Sequence, residues 1–166
     1  MKKLLLIITL LLAALGAAAQ GLEFAGIPIN DTSAEAFESS LTNKHYTFET
    51  RRGWSNFYKG RHKAAIATVM VTPTADGKIR RITVTLEHSD PETIIDALIA
   101  VGQELDERYS NYEYVIQASP NGDMKTIYYR AKSGGLYDSV AFDMTSVDYD
   151  LVGRLTFLPD NSSKGY

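Results

Sequence analysis

A chain of 166 residues with a formal charge of −3, 45% hydrophobic and 22% charged residues has the composition of a folded protein, and its acidic balance argues against general nucleic-acid binding. The absence of cysteine excludes disulfides, thiol nucleophiles and thiolate metal sites.

Lys2 and Lys3 precede an apolar run from Leu4 to Leu15, which ends in Gly16-Ala17-Ala18-Ala19. That order predicts a cleavable signal peptide over residues 1–20, cut near Ala19-Gln20 or Gln20-Gly21. The run is shorter than the roughly 20 residues a bilayer demands, so no transmembrane anchor is expected after cleavage. Removal of the two lysines leaves about 146 residues and shifts the formal charge from −3 to −5, enough chain for a core that stands without disulfides. The expected location is periplasmic or secreted.

Thr32-Ser33-Ala34-Glu35 has the form of a capping box, and Ala34, Phe37 and Leu41 follow at helical spacing, predicting a helix over Ser33–Asn43. Tyr46–Arg51 reads as a strand, with Gly53-Trp54-Ser55-Asn56 as its turn. Ala65, Val69 and Val71 alternate into the Pro73–Gly77 turn, and Ile82, Val84 and Leu86 alternate back, which is a hairpin with one buried face. Ser89-Asp90-Pro91-Glu92 opens a second helix carrying Ile94, Leu98, Val101 and Leu105 on one stripe. Further strands are expected at Tyr112–Gln117, Met124–Arg130, Leu136–Met144 and Val152–Leu158, with turns at Asn121-Gly122 and Ser133-Gly134-Gly135.

The fold class read from this order is α+β, two tandem helix-plus-antiparallel-sheet units over residues 21–88 and 89–166. A shift of 73 residues lays Arg81-Ile82-Thr83-Val84 on Arg154-Leu155-Thr156-Phe157, either through duplication or because alternating strands resemble one another. The element order over Phe24–Leu158, with its Thr-x-x-Glu and Ser-x-x-Glu helix starts, resembles the beta-lactamase-inhibitor-protein-like (BLIP-like) domains and the outer-membrane lipoproteins of the SmpA type. That resemblance implies a sheet face offered to a protein partner and no enzymatic activity. The chain lacks both the paired cysteines of the secreted inhibitors and the lipid-modified cysteine of the SmpA type, so those families' partners do not carry over.

Residues 51–63 hold five formal positive charges, no acid and the only tryptophan. Arg51, Arg52, Lys59, Arg61 and Lys63 with Trp54 and Tyr58 are the candidate binding residues, guanidinium groups suiting carboxylate or phosphate and aromatic faces suiting planar groups. The competing reading is an edge hairpin whose charges discourage aggregation. Seven tyrosines fall between Tyr109 and Tyr149, a residue type that serves interfaces and strands alike. Catalytic and metal residues are not assigned and no cofactor is expected. His45, His62 and His88 are scattered, His88-Ser89-Asp90 fits a helix cap better than a triad, and Asp138, Asp143, Asp148 and Asp150 lack the spacing of a calcium loop. The expected function is a non-catalytic exported module binding a protein or an anionic envelope ligand. The alternatives are a small periplasmic hydrolase, which would show a deep pocket, and an envelope-assembly subunit, which would show a free sheet edge.

Overall fold

The computed structural model describes residues 21–120, 124–131, 138–147 and 150–160. The expected signal peptide, the turns at Asn121-Gly122 and Ser133-Gly134-Gly135, and Tyr137, Asp148 and Tyr149 lie outside them.

Gly21–Ile29 forms a small hairpin, β1 (Glu23–Phe24) and β2 (Ile27–Pro28), joined by Ala25 and Gly26 at positive φ. Leu22, Phe24, Ile27 and Ile29 are buried. Helix α1 (Ala34–Asn43) follows, capped by Ser33, whose hydroxyl accepts from the Ala36 N–H at 3.1 Å. The cap is therefore one residue later than the Thr32-x-x-Glu35 box, and Thr32 instead donates to the Asn30 carbonyl. Strands β3 (Thr47–Arg52), β4 (Ser55–His62), β5 (Ala65–Pro73) and β6 (Ile79–Glu87) run as a meander. Ser55 and Asn56 belong to β4, not to a turn. The turn is Gly53-Trp54 alone, with Gly53 at φ +60°, as a two-residue hairpin loop with glycine first requires. Helix α2 (Pro91–Arg108) is capped by the Asp90 carboxylate, which accepts from the Thr93 N–H, with proline in its first turn. Strands β7 (Glu113–Ala118), β8 (Met124–Arg130), β9 (Ser139–Val147) and β10 (Asp150–Leu158) make a second meander.

The expectation of two tandem helix-plus-sheet units is overturned. The eight long strands form one continuous antiparallel sheet, in the order β3-β4-β5-β6-β10-β9-β8-β7, and among the described residues only the β1–β2 hairpin lies outside it. The joint is β6 against β10, where Thr83 stands opposite Thr156 and Ile82 opposite Phe157. Alternation in sequence marks strands and their faces, but it carries no information on which strands pair across 70 residues. The 73-residue coincidence thus falls on two strands lying side by side at the middle of one sheet.

Both helices bury the same face. Ala65, Val69 and Val71 of β5, Ile82, Val84 and Leu86 of β6, Leu155 and Phe157 of β10 and Val140 and Phe142 of β9 meet Phe37 and Leu41 of α1 and Ile94, Leu98 and Val101 of α2 in one core. Fully burying such a side chain is worth about 1.5–3 kcal/mol. Two glycines set the distances: a Cβ on Gly60 would lie 2.5 Å from the Tyr46 ring, and one on Gly153 would lie 2.1 Å from Leu98 Cδ2. Those positions let the edge loop and α2 settle onto the sheet.

Candidate functional site

Among the described residues, no helix covers the opposite face of the sheet. Register places one row of residues across all eight strands on it: Thr50, Phe57, Met70, Thr83, Thr156, Ala141, Tyr128 and Val115. A neighbouring row runs Lys59, Thr68, Thr85, Arg154, Asp143, Thr126 and Gln117. Threonines occupy much of the middle, with Arg154 among them beside Asp143. At about 4.8 Å per strand the face spans roughly 34 Å, a width suited to a protein rather than to a small molecule.

The register sorts the basic hairpin. Arg52, Lys59 and Arg61 share the open face with Phe57, and the Arg52 guanidinium sits 5.5 Å from the centre of the Phe57 ring. Trp54, at the hairpin tip, is 78% exposed. Tyr58 points the other way: it is buried against the core, edge-on to Phe48, and burial with the nearby Glu38 pushes its hydroxyl up to about 12. Arg51 is also on the helix-side face, its Nε donating to the Gly53 carbonyl at 3.2 Å. Lys63 lies in the β4–β5 turn, 2.7 Å from the Glu104 carboxylate of α2. Of the seven residues read from sequence, four (Arg52, Trp54, Lys59 and Arg61) remain accessible at or beside the open face.

Two residues join them that sequence reasoning did not select. Strand β3 reaches only Lys59, so Gly60 and Arg61 of β4 have no β3 residue opposite. Beside that gap lies a cleft of about 540 Å³ lined by Lys44, His45, Lys59, Gly60, Arg61 and Ile66. Four of its six lining residues are basic types and none is acidic, and Lys59 is paired at 4.0 Å with Glu49, outside the lining. Lys44 and His45 arrive there through the end of α1. The Tyr46 N–H donates to the Leu41 carbonyl and the His45 N–H to the Thr42 carbonyl, the double closure of a Schellman motif. Its left-handed position, usually glycine, is His45 at φ 67°. The signal available in sequence was the missing glycine after Asn43, since a helix followed at once by a strand needs a left-handed residue at that point.

The next turn has the same character. Lys63 and Ala64, between the paired His62 and Ala65, have φ 50° and 70°, and non-glycine residues in this region cost about 1–2 kcal/mol each. His62 is held at 4.9 Å from the Phe24 ring, and burial keeps its pKa below the ordinary imidazole value; the Glu104 charge opposes that shift and Lys63 adds to it.

A second cleft, about 400 Å³, lies across Ile66 and is lined by Glu87, His88, Ser89, Asp150, Leu151 and Val152. His88 Nδ1 accepts from the Asp90 N–H at 3.0 Å. In the neutral ring that leaves the proton on Nε2, so no lone pair remains to take a proton from Ser89. Asp138 accepts from the Asn30 amide and the Asp160 N–H, and Asp143 accepts from Thr126. Among the described residues no group of three or more histidines and carboxylates is placed to hold a metal ion, and no helix is long and apolar enough to cross a membrane.

Comparison of the chain with protein-family models, with curated proteins and with solved structures gives no match. The resemblance to the inhibitor-like and SmpA-type domains therefore rests on element order alone.

Proposed function

We propose that this chain is an exported, non-catalytic binding protein that seats a carboxylate-bearing segment of a protein partner on the open sheet face, at the β3–β4 end. The observation that carries this reading is the cleft in which Lys44, His45, Lys59 and Arg61 converge without an acidic residue in its lining. Charge-assisted contacts from Lys59 and Arg61 would hold carboxylates, while Phe57, Met70 and the threonine rows give the partner an apolar and hydroxyl-lined bed. Across Ile66 the surface turns acidic at Glu87 and Asp150, which orients a partner whose own charges are segregated. The left-handed His45 supports the reading as well, because strain is tolerated where a side chain's position serves a purpose beyond the fold.

The test is capture of partners from envelope extract by immobilised protein. The double reversal Lys59→Glu, Arg61→Glu should lose the captured species while retaining the parent unfolding temperature within a few degrees. Lys63→Glu, which touches α2 and not the cleft, should keep it. Equal capture by all three proteins would overturn the site.

A further inference from the structure

The sheet has two outer edges, and they differ in kind. Strand β3 is interrupted by a bulge between Phe48 and Thr50 and carries Glu49, Arg51 and Arg52, the devices by which natural edges refuse further strands. Strand β7 has no bulge and fewer charges. Its six residues pair with β8 without a register shift, its sole charge is Glu113 at the first position, and its outer side has no strand beside it among the described residues. Tyr114 and Ile116 are 49% and 59% exposed.

We propose that β7 is a homodimer edge, pairing antiparallel with β7 of a second copy about a two-fold axis at Val115. The strand is self-complementary in that register. Val115 faces Val115, Tyr114 faces Ile116 in both directions, and Glu113 faces the uncharged Gln117. Directly opposite residues in an antiparallel pair share a face, so both exposed apolar side chains find apolar partners and no like charges meet. A Tyr–Ile cross-strand pair contributes beyond the backbone bonds. On the helix side of the sheet, the Tyr114 ring stands edge-on at 5.4 Å from Tyr129, whose hydroxyl donates to Asp106 of α2 at 2.5 Å. On the open face, the row ending at Val115 would run on into its mate, joining two binding faces in one sheet and doubling the valency toward a repetitive partner.

The absence of cysteine makes the test direct. In the proposed register the two Val115 Cα atoms come within the span a disulfide bridges, about 4.4–6.8 Å, whereas the two Gln117 Cα atoms stand well beyond it. The purified protein should sediment as a dimer. Val115→Cys should cross-link to itself on mild oxidation far faster than Gln117→Cys or than Thr50→Cys on the opposite edge. Ile116→Lys, a change at an exposed position, should sediment as a folded monomer with an unaltered circular dichroism spectrum. A parent protein that stays monomeric at every concentration reached overturns the proposal and leaves the edge to a strand from another protein. Cross-linking of Gln117→Cys at the rate of Val115→Cys overturns the register.

Discussion

Lys63 Nζ lies 2.7 Å from the Glu104 carboxylate, so the last cation of the basic hairpin ties the β4–β5 turn to α2 and is withdrawn from the surface that its neighbours Lys59 and Arg61 present. Both side chains of this pair are partly exposed, which limits its worth to about 1 kcal/mol or less. Lys63→Glu is expected to lower the unfolding free energy by that amount, and the exchange Lys63→Glu, Glu104→Lys to restore most of it. Denaturant titration of the two singles and the double measures this; a coupling of zero would mean the contact does nothing for stability.

Gly153 admits Leu98 to the sheet. Placing a methyl group 2.1 Å from Leu98 Cδ2 forces α2 to lift or Leu98 to leave its rotamer, a cost of about 1–3 kcal/mol. Gly153→Ala should therefore unfold at lower denaturant, and the double variant with Leu98→Ala should lose less than the sum of the two single losses, since the truncated side chain vacates the space the methyl needs. Strict additivity of the two changes would show that they do not meet.

His45 occupies the left-handed position after α1 at φ 67°. His45→Gly relieves a backbone cost of about 1–2 kcal/mol and adds back about 0.5–1 kcal/mol of unfolded-chain entropy. A net gain of about 0.5–1 kcal/mol is expected, together with weaker capture of the partner. Higher stability with unchanged capture would strip His45 of any part in binding.

Burial against Phe24 holds the His62 pKa below its ordinary value of 6.5, with Lys63 pushing the same way and Glu104 against it. The unfolded chain therefore takes up this proton at a higher pH than the folded one. Stability is complete above about pH 6.5 and falls as the pH drops from there toward the lowered folded value. In thermal melts from pH 8 to pH 5, His62→Gln should show a shallower acid decline than the parent. Parallel declines would place the titration elsewhere.

Much of the fold was legible in the sequence because its signals are local. The alternation of Ala65–Val71 and Ile82–Leu86 and the stripe of Ile94, Leu98, Val101 and Leu105 marked β5, β6 and α2, and Met124–Arg130 is the strand expected. Long-range pairing was not legible. Nothing in Arg81–Val84 or Arg154–Phe157 says that these strands lie side by side, and that contact is what turns two expected sheets into one. The candidate site shows the same division. A run of cations is visible in a sequence, but the face each one takes depends on strand register, which sends Tyr58 to the core and Lys59 to solvent. Lys44 and His45 were missed because their place beside Arg61 depends on how α1 ends, a matter of two backbone hydrogen bonds and one left-handed residue.

Chemical-shift mapping with a poly-glutamate peptide tests the central claim most directly, because it reads every backbone amide at once. Binding at the basic cleft predicts perturbations concentrated at Lys44, His45, Lys59, Gly60 and Arg61, diminishing with added salt as screened charge contacts must and absent in Lys59→Glu, Arg61→Glu. Shifts that spread evenly over the molecule, centre elsewhere, or survive in that double variant would contradict it.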